Sequence, residues 1–401
     1  MPFRLEPRGR QSRLWAWASP LVAIVATLIV SAIIFAALGK PAGAALYTFV
    51  ISPVSSLNGW AELSVKAAPL VLIALGLSIG NRANVWNIGA EGQYIIGALC
   101  AAGVGIAAGG AGGPVIITAM VLAGIIGGAA WAAIPAALRT RFSVNEILSS
   151  LMLTYVAAQV LGYLVGGPWK DPNGRNFPAT APLLPDQMLP ILVPGTTIHL
   201  GVLIALLLPF VFWVVMARSV FGFQIRVVGS APQAARHGGF DNKQTIWLAM
   251  LIGGAMAGLA GALEFTGALK TINLGFPSGY GFTAIIVSFL GRLHPIGCLI
   301  AGIVLADTYV GGQLAKTSVH IPDSTAGIFQ AMMLFFILAS DIFIRYRLRI
   351  VRTQKVAPAM AASVTSAEHR DQRRVDCHHR GALDTDPDGR ARRAGGGKEL
   401  H

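Results

Sequence analysis

Residues 84–97, NVWNIGAEGQYIIG, place one carboxylate, Glu91, beside the amides Asn87 and Gln93 and among Gly89, Gly92 and Gly97, between two strongly apolar stretches. A lone carboxylate in that setting suits one of two kinds of chemistry. It can serve a helix terminus, because the first turn leaves N–H groups unpaired and carries the positive end of the helix dipole. Asn84 or Asn87 would then be the cap and Glu91 a first-turn acid. Alternatively it can line or gate a path for a polar solute, since an ionisable group at membrane depth is costly and marks function by default. The residues leave both readings open.

A second stretch has the same grammar. In residues 279–302, GYGFTAIIVSFLGRLHPIGCLIAG, an apolar run of about a dozen residues that includes Phe282 is broken by Gly291, Arg292, His294 and Pro295. A run that short hardly crosses a bilayer unaided. Arg292 and His294 read either as a basic turn on the cytoplasmic side or as part of the same path. Non-helical backbone at membrane depth survives only where protein or a water-filled cavity satisfies it, so paired interruptions point to a translocation route.

The elements that must position these residues are membrane helices. The 401-residue chain is 54% hydrophobic and only 12% charged, which excludes an ordinary soluble domain. Apolar runs predict about ten crossings, at roughly 15–38, 66–81, 87–108, 114–138, 146–166, 198–217, 245–268, 280–291, 295–312 and 325–344. Basic residues at Arg82, Arg139, Arg141, Arg218 to Lys243, Arg292 and beyond Arg345 then alternate to one side, so both termini are expected in the cytoplasm. The expected fold is an all-α polytopic membrane protein. A division into five and five helices would make the two interrupted segments equivalent, the pattern of an internal pseudo-repeat with broken helices. The expected organisation is a basic segment over 1–14, a membrane domain over 15–354 and a polar, disordered tail over 355–401.

The net charge of +13 sits beside apolar runs and in the tail, where cytoplasmic retention accounts for it without nucleic acid. Cys100 and Cys298 fall within apolar runs and Cys377 in the tail, so no disulfide framework is expected. Cys377, His378 and His379 lack a second ligand pair at zinc spacing, and no metal site is assigned. Trp15, Trp17, Trp60 and Trp169 read as interfacial anchors. No GxxxxGK[ST] loop and no HExxH pattern occurs, which excludes nucleotide hydrolysis and zinc proteolysis by those routes. Besides Glu91, Glu264 and Asp307 are the main acidic candidates within apolar runs, too few for a proton relay of the usual kind.

Two capping patterns complete the reading. The loop RVVGSAPQAARHGGFDNKQ, residues 226–244, predicts a two-turn helix over roughly 231–237, with Ser230 as cap, Gln233 as its partner, Pro232 in the first turn and Gly238 with Gly239 as the left-handed stop. So short a helix needs something to hold it. SVNE, residues 143–146, predicts Ser143 and Glu146 as the capping box of the next helix.

Four segments in this order, NVWNIGAEGQYIIGA, FSVNEILSSLMLTYVA, GSAPQAARHGGF and FTAIIVSFLGRLHPIG, resemble the permease subunits of bacterial ABC importers in the branched-chain amino acid, ribose and simple-sugar group, and within it the nucleoside-uptake branch. The resemblance covers roughly residues 60–350. It implies a multi-pass subunit of the bacterial inner membrane, not itself an enzyme, with ATP and Mg held on a separate cytoplasmic ATPase. It further implies a second permease chain, a different one in the expected arrangement, and an extracytoplasmic binding lipoprotein as partners. The short cytoplasmic helix would dock on the ATPase, the match falling on Ser230, Ala231, Pro232, Gln233, Ala234, Ala235, Arg236, His237, Gly238 and Gly239. Asn87, Glu91, Gln93, Phe282 and Arg292 are the expected substrate-pathway residues. A sugar permease, an ion-coupled carrier and an assembly factor are the alternatives. The tail after about 355 matches nothing in that family.

Overall fold

The computed structural model describes residues 3–7, 13–174, 177–320 and 324–350; the polar tail with Cys377, His378 and His379 and half of the basic amino-terminal segment, residues 1, 2 and 8–12, lie outside the described residues. The chain divides into two units. In one, whose described residues are 3–7 and 347–350, β1 (Phe3–Pro7) pairs with β2 (Tyr346–Ile350, its first residue at the boundary) as a two-stranded sheet, which the apolar pattern does not predict.

The other unit, residues 8–346, is helical. Its elements in order are α1 (Arg13–Ala37), α2 (Ala42–Leu46) running into a π-helical turn (Tyr47–Ile51), α3 (Leu57–Arg82), α4 (Ala90–Ala107), α5 (Pro114–Phe142), α6 (Glu146–Gly166), α7 (Leu200–Arg218), α8 (Val220–Ser230), α9 (Pro232–His237), α10 (Asn242–Leu263) running into a second π-helical turn (Glu264–Leu269), α11 (Tyr280–Leu290), α12 (Pro295–Ser318) and α13 (Ser324–Arg345). Among the described residues, eight helices are long and apolar enough to cross a membrane, and three shorter apolar helices lie at 42–51, 280–290 and 327–340. The expectation of ten spans is thus met in part by shorter pieces. The third helix also begins nine residues earlier than the apolar run suggests. Ser56 caps it through the Gly59 amide at 3.0 Å, and its first turns tolerate Glu62 and Lys66.

α3 is buried on every side from Ala67 to Gly80, as a helix apolar all round should be when it occupies the centre of a bundle. α5, α6 and α7 expose broad apolar faces, for example Leu122, Ile126, Tyr155, Leu207 and Val211, which water would not tolerate and lipid does. With no hydrophobic drive between helices in lipid, close approach must come from small residues. Gly124 and Gly128 on α5 face Gly254 and Gly258 on α10, and a Cβ on Gly258 would overlap the Gly124 carbonyl oxygen. Gly97 brings α4 onto the same seam, again against Gly258.

Junctions sort to opposite ends of this bundle. The ends of α3, α5 and α7, the start of α10 and the inner face of α8 meet around Ile79, Ala83, Ala136, Met216, Ile225 and Met250. At the other end the start of α3 meets the 188–197 loop, the π-helical turn after α10 and the last turns of α12.

Candidate functional site

The break between α3 and α4 is built by local chemistry. Asn84 adopts a left-handed conformation (φ 57°), Val85 donates back to the Gly80 carbonyl at 2.8 Å, and the chain re-enters the bundle before α4 starts at Ala90. Neither asparagine caps α4, contrary to the sequence expectation. The cap position is Gly89, with no side-chain bond, because any Cβ there would strike Ser150. Asn87 instead exchanges two hydrogen bonds with Gln93, at 2.8 and 3.0 Å, an amide pair that satisfies two buried polar groups at once.

Glu91 is only 2% exposed, and its carboxylate accepts from the backbone N–H of Gly279 at 2.9 Å and of Gly281 at 2.5 Å. It therefore serves α11 as well as α4, and the positive ends of two helix dipoles converge on one carboxylate. The two interrupted segments meet here, 190 residues apart in sequence. α11 has 11 residues, so at 1.5 Å per residue its N-terminus lies about 16 Å from its other end, about half the thickness of a hydrocarbon core. Gly281 is required by this contact, since a Cβ would overlap the Glu91 backbone.

The other expected pathway residues are spread around that point. Phe282, 39% exposed, projects from the open side of α11 in line with Ile285 and Phe289, and Phe289 stacks on Trp86 with ring centroids 5.7 Å apart. Arg292 lies beyond the far end of α11 in a left-handed turn and donates to Ser19 at 3.0 Å. A second polar group ties α11 to α12 and α13: the Thr283 hydroxyl lies 2.9 Å from the Tyr309 hydroxyl and 3.2 Å from Gln330, whose amide donates to Thr308.

Towards the end of the bundle where α3 begins, Lys66 reaches the carboxylate of Glu264 at 3.7 Å. Glu264 is fully enclosed and opens the π-helical turn after α10; such turns recur at functional sites. The Lys66 ammonium also stands 5.7 Å from the centroid of Tyr280, the first residue of α11. Lys66 lines a cavity of about 370 Å³ whose other polar lining residues are Glu62, Thr196, Thr197, Lys270 and Gln313. Glu264 stands within an apolar run and is legible in the sequence; Lys66 stands at the edge of one, where a basic residue carries no signal of its own.

Opposite, α9 forms as expected but with different punctuation. Ser230 ends α8 and bonds the Arg226 carbonyl at 2.8 Å, so it caps nothing, and Ala231 holds the cap position. Only Gly239 is left-handed (φ 83°), while Gly238 stays near −77°. The Gly239 amide donates to Arg236 and the Phe240 amide to Ala235, the paired bonds of a Schellman stop. Ala235 is fully buried; Pro232, Gln233, Ala234, Arg236 and His237 face outward. At SVNE the cap is Asn145, which accepts from the Ile147 amide at 2.9 Å, and not Ser143, which ends α5 in the left-handed region. Glu146 is taken by an ion pair with Arg139.

Residues 59–338 match the family described as branched-chain amino acid transport system / permease component. The chain belongs to this permease family. A glucose ABC transporter permease of Haloferax volcanii is 34% identical over 90% of this permease and 97% of its own length. A guanosine permease of Bacillus subtilis is 29% identical over 80% and 92%, and a nucleoside permease of Lactococcus lactis 25% identical over 79% and 89%. The permease is a multi-pass membrane protein of an ABC transporter family.

The span expected over 198–217 starts at Leu200, which leaves one buried base of the permease, His199, immediately before it. His199 caps α7 by accepting the Gly201 amide on Nδ1 at 3.2 Å, while Nε2 is buried without a partner. Burial lowers its pKa from 6.5 to about 4. The unfolded chain therefore takes up a proton between pH 6.5 and 4 that the folded chain refuses, and stability is lost as pH falls through that window. The expected loss reaches about 3 kcal/mol at the acid end. H199N, which keeps a cap acceptor, should remove that component; equal melting shifts between pH 7.5 and 5 in both proteins would refute it.

Proposed function

We propose that this chain is the membrane-spanning subunit of an ATP-driven importer that carries nucleosides across a bacterial inner membrane, with both termini cytoplasmic. The observation that carries the coupling half of this reading is α9: a two-turn helix anchored inward through Ala235, stopped by Gly239, and offering Gln233, Arg236 and His237 to a partner. The partner is a cytoplasmic ATPase that holds ATP and Mg, since the chain has no phosphate-binding loop of its own. A second permease chain and an extracytoplasmic binding lipoprotein complete the assembly. Solute would enter by the cavity that Lys66 lines, where an acid, two cations, two hydroxyls and an amide offer hydrogen bonds to a neutral hydroxylated molecule, and pass the Glu91 cap as α11 moves.

The guanosine and nucleoside relatives favour nucleosides; the glucose relative, matched over nearly its whole length, favours a sugar as the second reading. Uptake of labelled guanosine and adenosine by cells with and without the chain, challenged with unlabelled nucleosides, ribose or glucose, separates them. Chain-dependent uptake blocked by nucleosides alone supports the first reading. Competition by sugars replaces it with the second, and uptake that survives ATP depletion with ion gradients intact replaces both with an ion-coupled carrier.

Charge reversal at Arg236, exposed on α9, tests docking. R236E is expected to lower co-purified ATPase and uptake about tenfold, ~1.4 kcal/mol of interface energy. Glutamate at Ala235 would instead disturb the buried seat of the helix. Normal ATPase recovery with R236E would remove α9 as the docking element.

A further inference from the structure

Arg82 at the end of α3, Arg226 on α8 and His294 before α12 line one cavity of about 670 Å³ on the face that carries α9. Among the described residues the ion pairs are Lys66–Glu264 and Arg139–Glu146, so none of these three cationic or basic groups has a carboxylate partner. Burial, and then the Arg82 charge, hold the His294 pKa below its ordinary value. Half-buried Arg82 thus shares this space with a second arginine and an imidazole, and among the described residues that line it there is no carboxylate. Concentrating like charge in a recess is unfavourable unless something negative fills it.

The other wall is apolar. Trp213 and Met216 of α7 line the cavity, and Trp213, 45% exposed, continues the exposed stripe of Phe210 and Val214 along that helix. A basic recess that opens on a lipid-exposed helix face fits a molecule with a phosphate at one end and hydrocarbon at the other. We propose that this cavity holds the head group of an anionic phospholipid, its phosphate between Arg82 and Arg226 and its acyl chain along Trp213. Gly229 sets α8 directly on the last carbonyls of α3, where a Cβ would overlap the Arg82 oxygen, and Ser230 of the same cavity precedes α9. The bound lipid therefore braces the platform from which α9 projects. This assignment does not depend on the identity of the cargo.

The test is lipid retention by the full chain in detergent, titrated with phosphatidylglycerol or phosphatidylcholine and read by native mass spectrometry. Phosphatidylglycerol should be retained in preference, and R82Q and R226Q should each weaken that retention about tenfold or more, the worth of a charge-assisted bond to phosphate. R141Q removes the same charge from an exposed site outside the cavity and should cost at most about fivefold, the effect of general attraction to an anionic surface. Arg226 is exposed, so its variant reports on binding even if R82Q folds poorly. Equal losses in R226Q and R141Q, or equal retention of phosphatidylcholine, would overturn the site. Displacement by millimolar inorganic phosphate would reassign it to soluble phosphate and overturn the lipid.

Discussion

Alanine at Glu91 is expected to abolish measurable uptake and to destabilise the folded chain by about 3–5 kcal/mol, the cost of stripping a buried, charge-assisted acceptor from its partners. The Gly279 and Gly281 N–H groups that bind the carboxylate would be left unpaired within the bundle. Glutamine keeps the shape and one acceptor oxygen, but it turns an N–H₂ towards the second donor and removes the charge that two helix dipoles stabilise. E91Q should therefore retain most of the fold, losing about 1.5–3 kcal/mol, while uptake falls at least tenfold. Thermal melting and initial uptake rates of both variants are the measurement. Wild-type uptake in E91Q would mean that the carboxylate is a structural cap alone and takes no part in transport.

The second large effect concerns Lys66 and Glu264. Glu264 is 1% exposed and Lys66 24%, so the two halves of the pair are not equivalent. K66M strands a carboxylate in the bundle and is expected to cost about 3–5 kcal/mol. E264Q frees an ammonium that can turn to the solvent of the cavity, and about 1 kcal/mol is expected. The double variant K66M/E264Q should recover most of the loss, because removing both charges also removes their desolvation cost. Melting temperatures of the four proteins give the coupling energy; K66M no worse than E264Q, or no recovery in the double variant, would show that the pair contributes nothing. Uptake by the double variant carries separate information, since restored stability without uptake would place the pair in the path itself.

Helix caps are the least legible feature of this sequence. Ser143 and Asn145 stand two residues apart, and either can supply an oxygen to a helix start; the choice fell to Asn145 because Ser143 was already spent ending α5. Asn87 was lost as a cap to Gln93, a partner that only the re-entry of the chain brings within reach. Ser230 was lost because α8 runs through it, and the amphipathic 220–230 segment is too short to register as an apolar run. In each case a local rule named an able group, and competition among able groups was decided by neighbours.

What the amino-acid sequence determined by itself is the part that depends on composition and near neighbours. Apolar runs long enough to cross a bilayer dictate a helical membrane protein. Glycine, asparagine and proline mark the two breaks and the stop of α9, because conformational freedom and missing N–H groups act within a few residues. Only the tertiary structure decided who meets whom. Glu91 reaches an amide 190 positions away, Lys66 turns to a carboxylate on another helix, and the glycines of α5 choose those of α10. Such contacts follow from how closely helices can approach and in which rotation, and a sequence of similar apolar helices offers many pairings of nearly equal local merit. The packing of the whole bundle selects among them, because each buried polar group must find its partner at once.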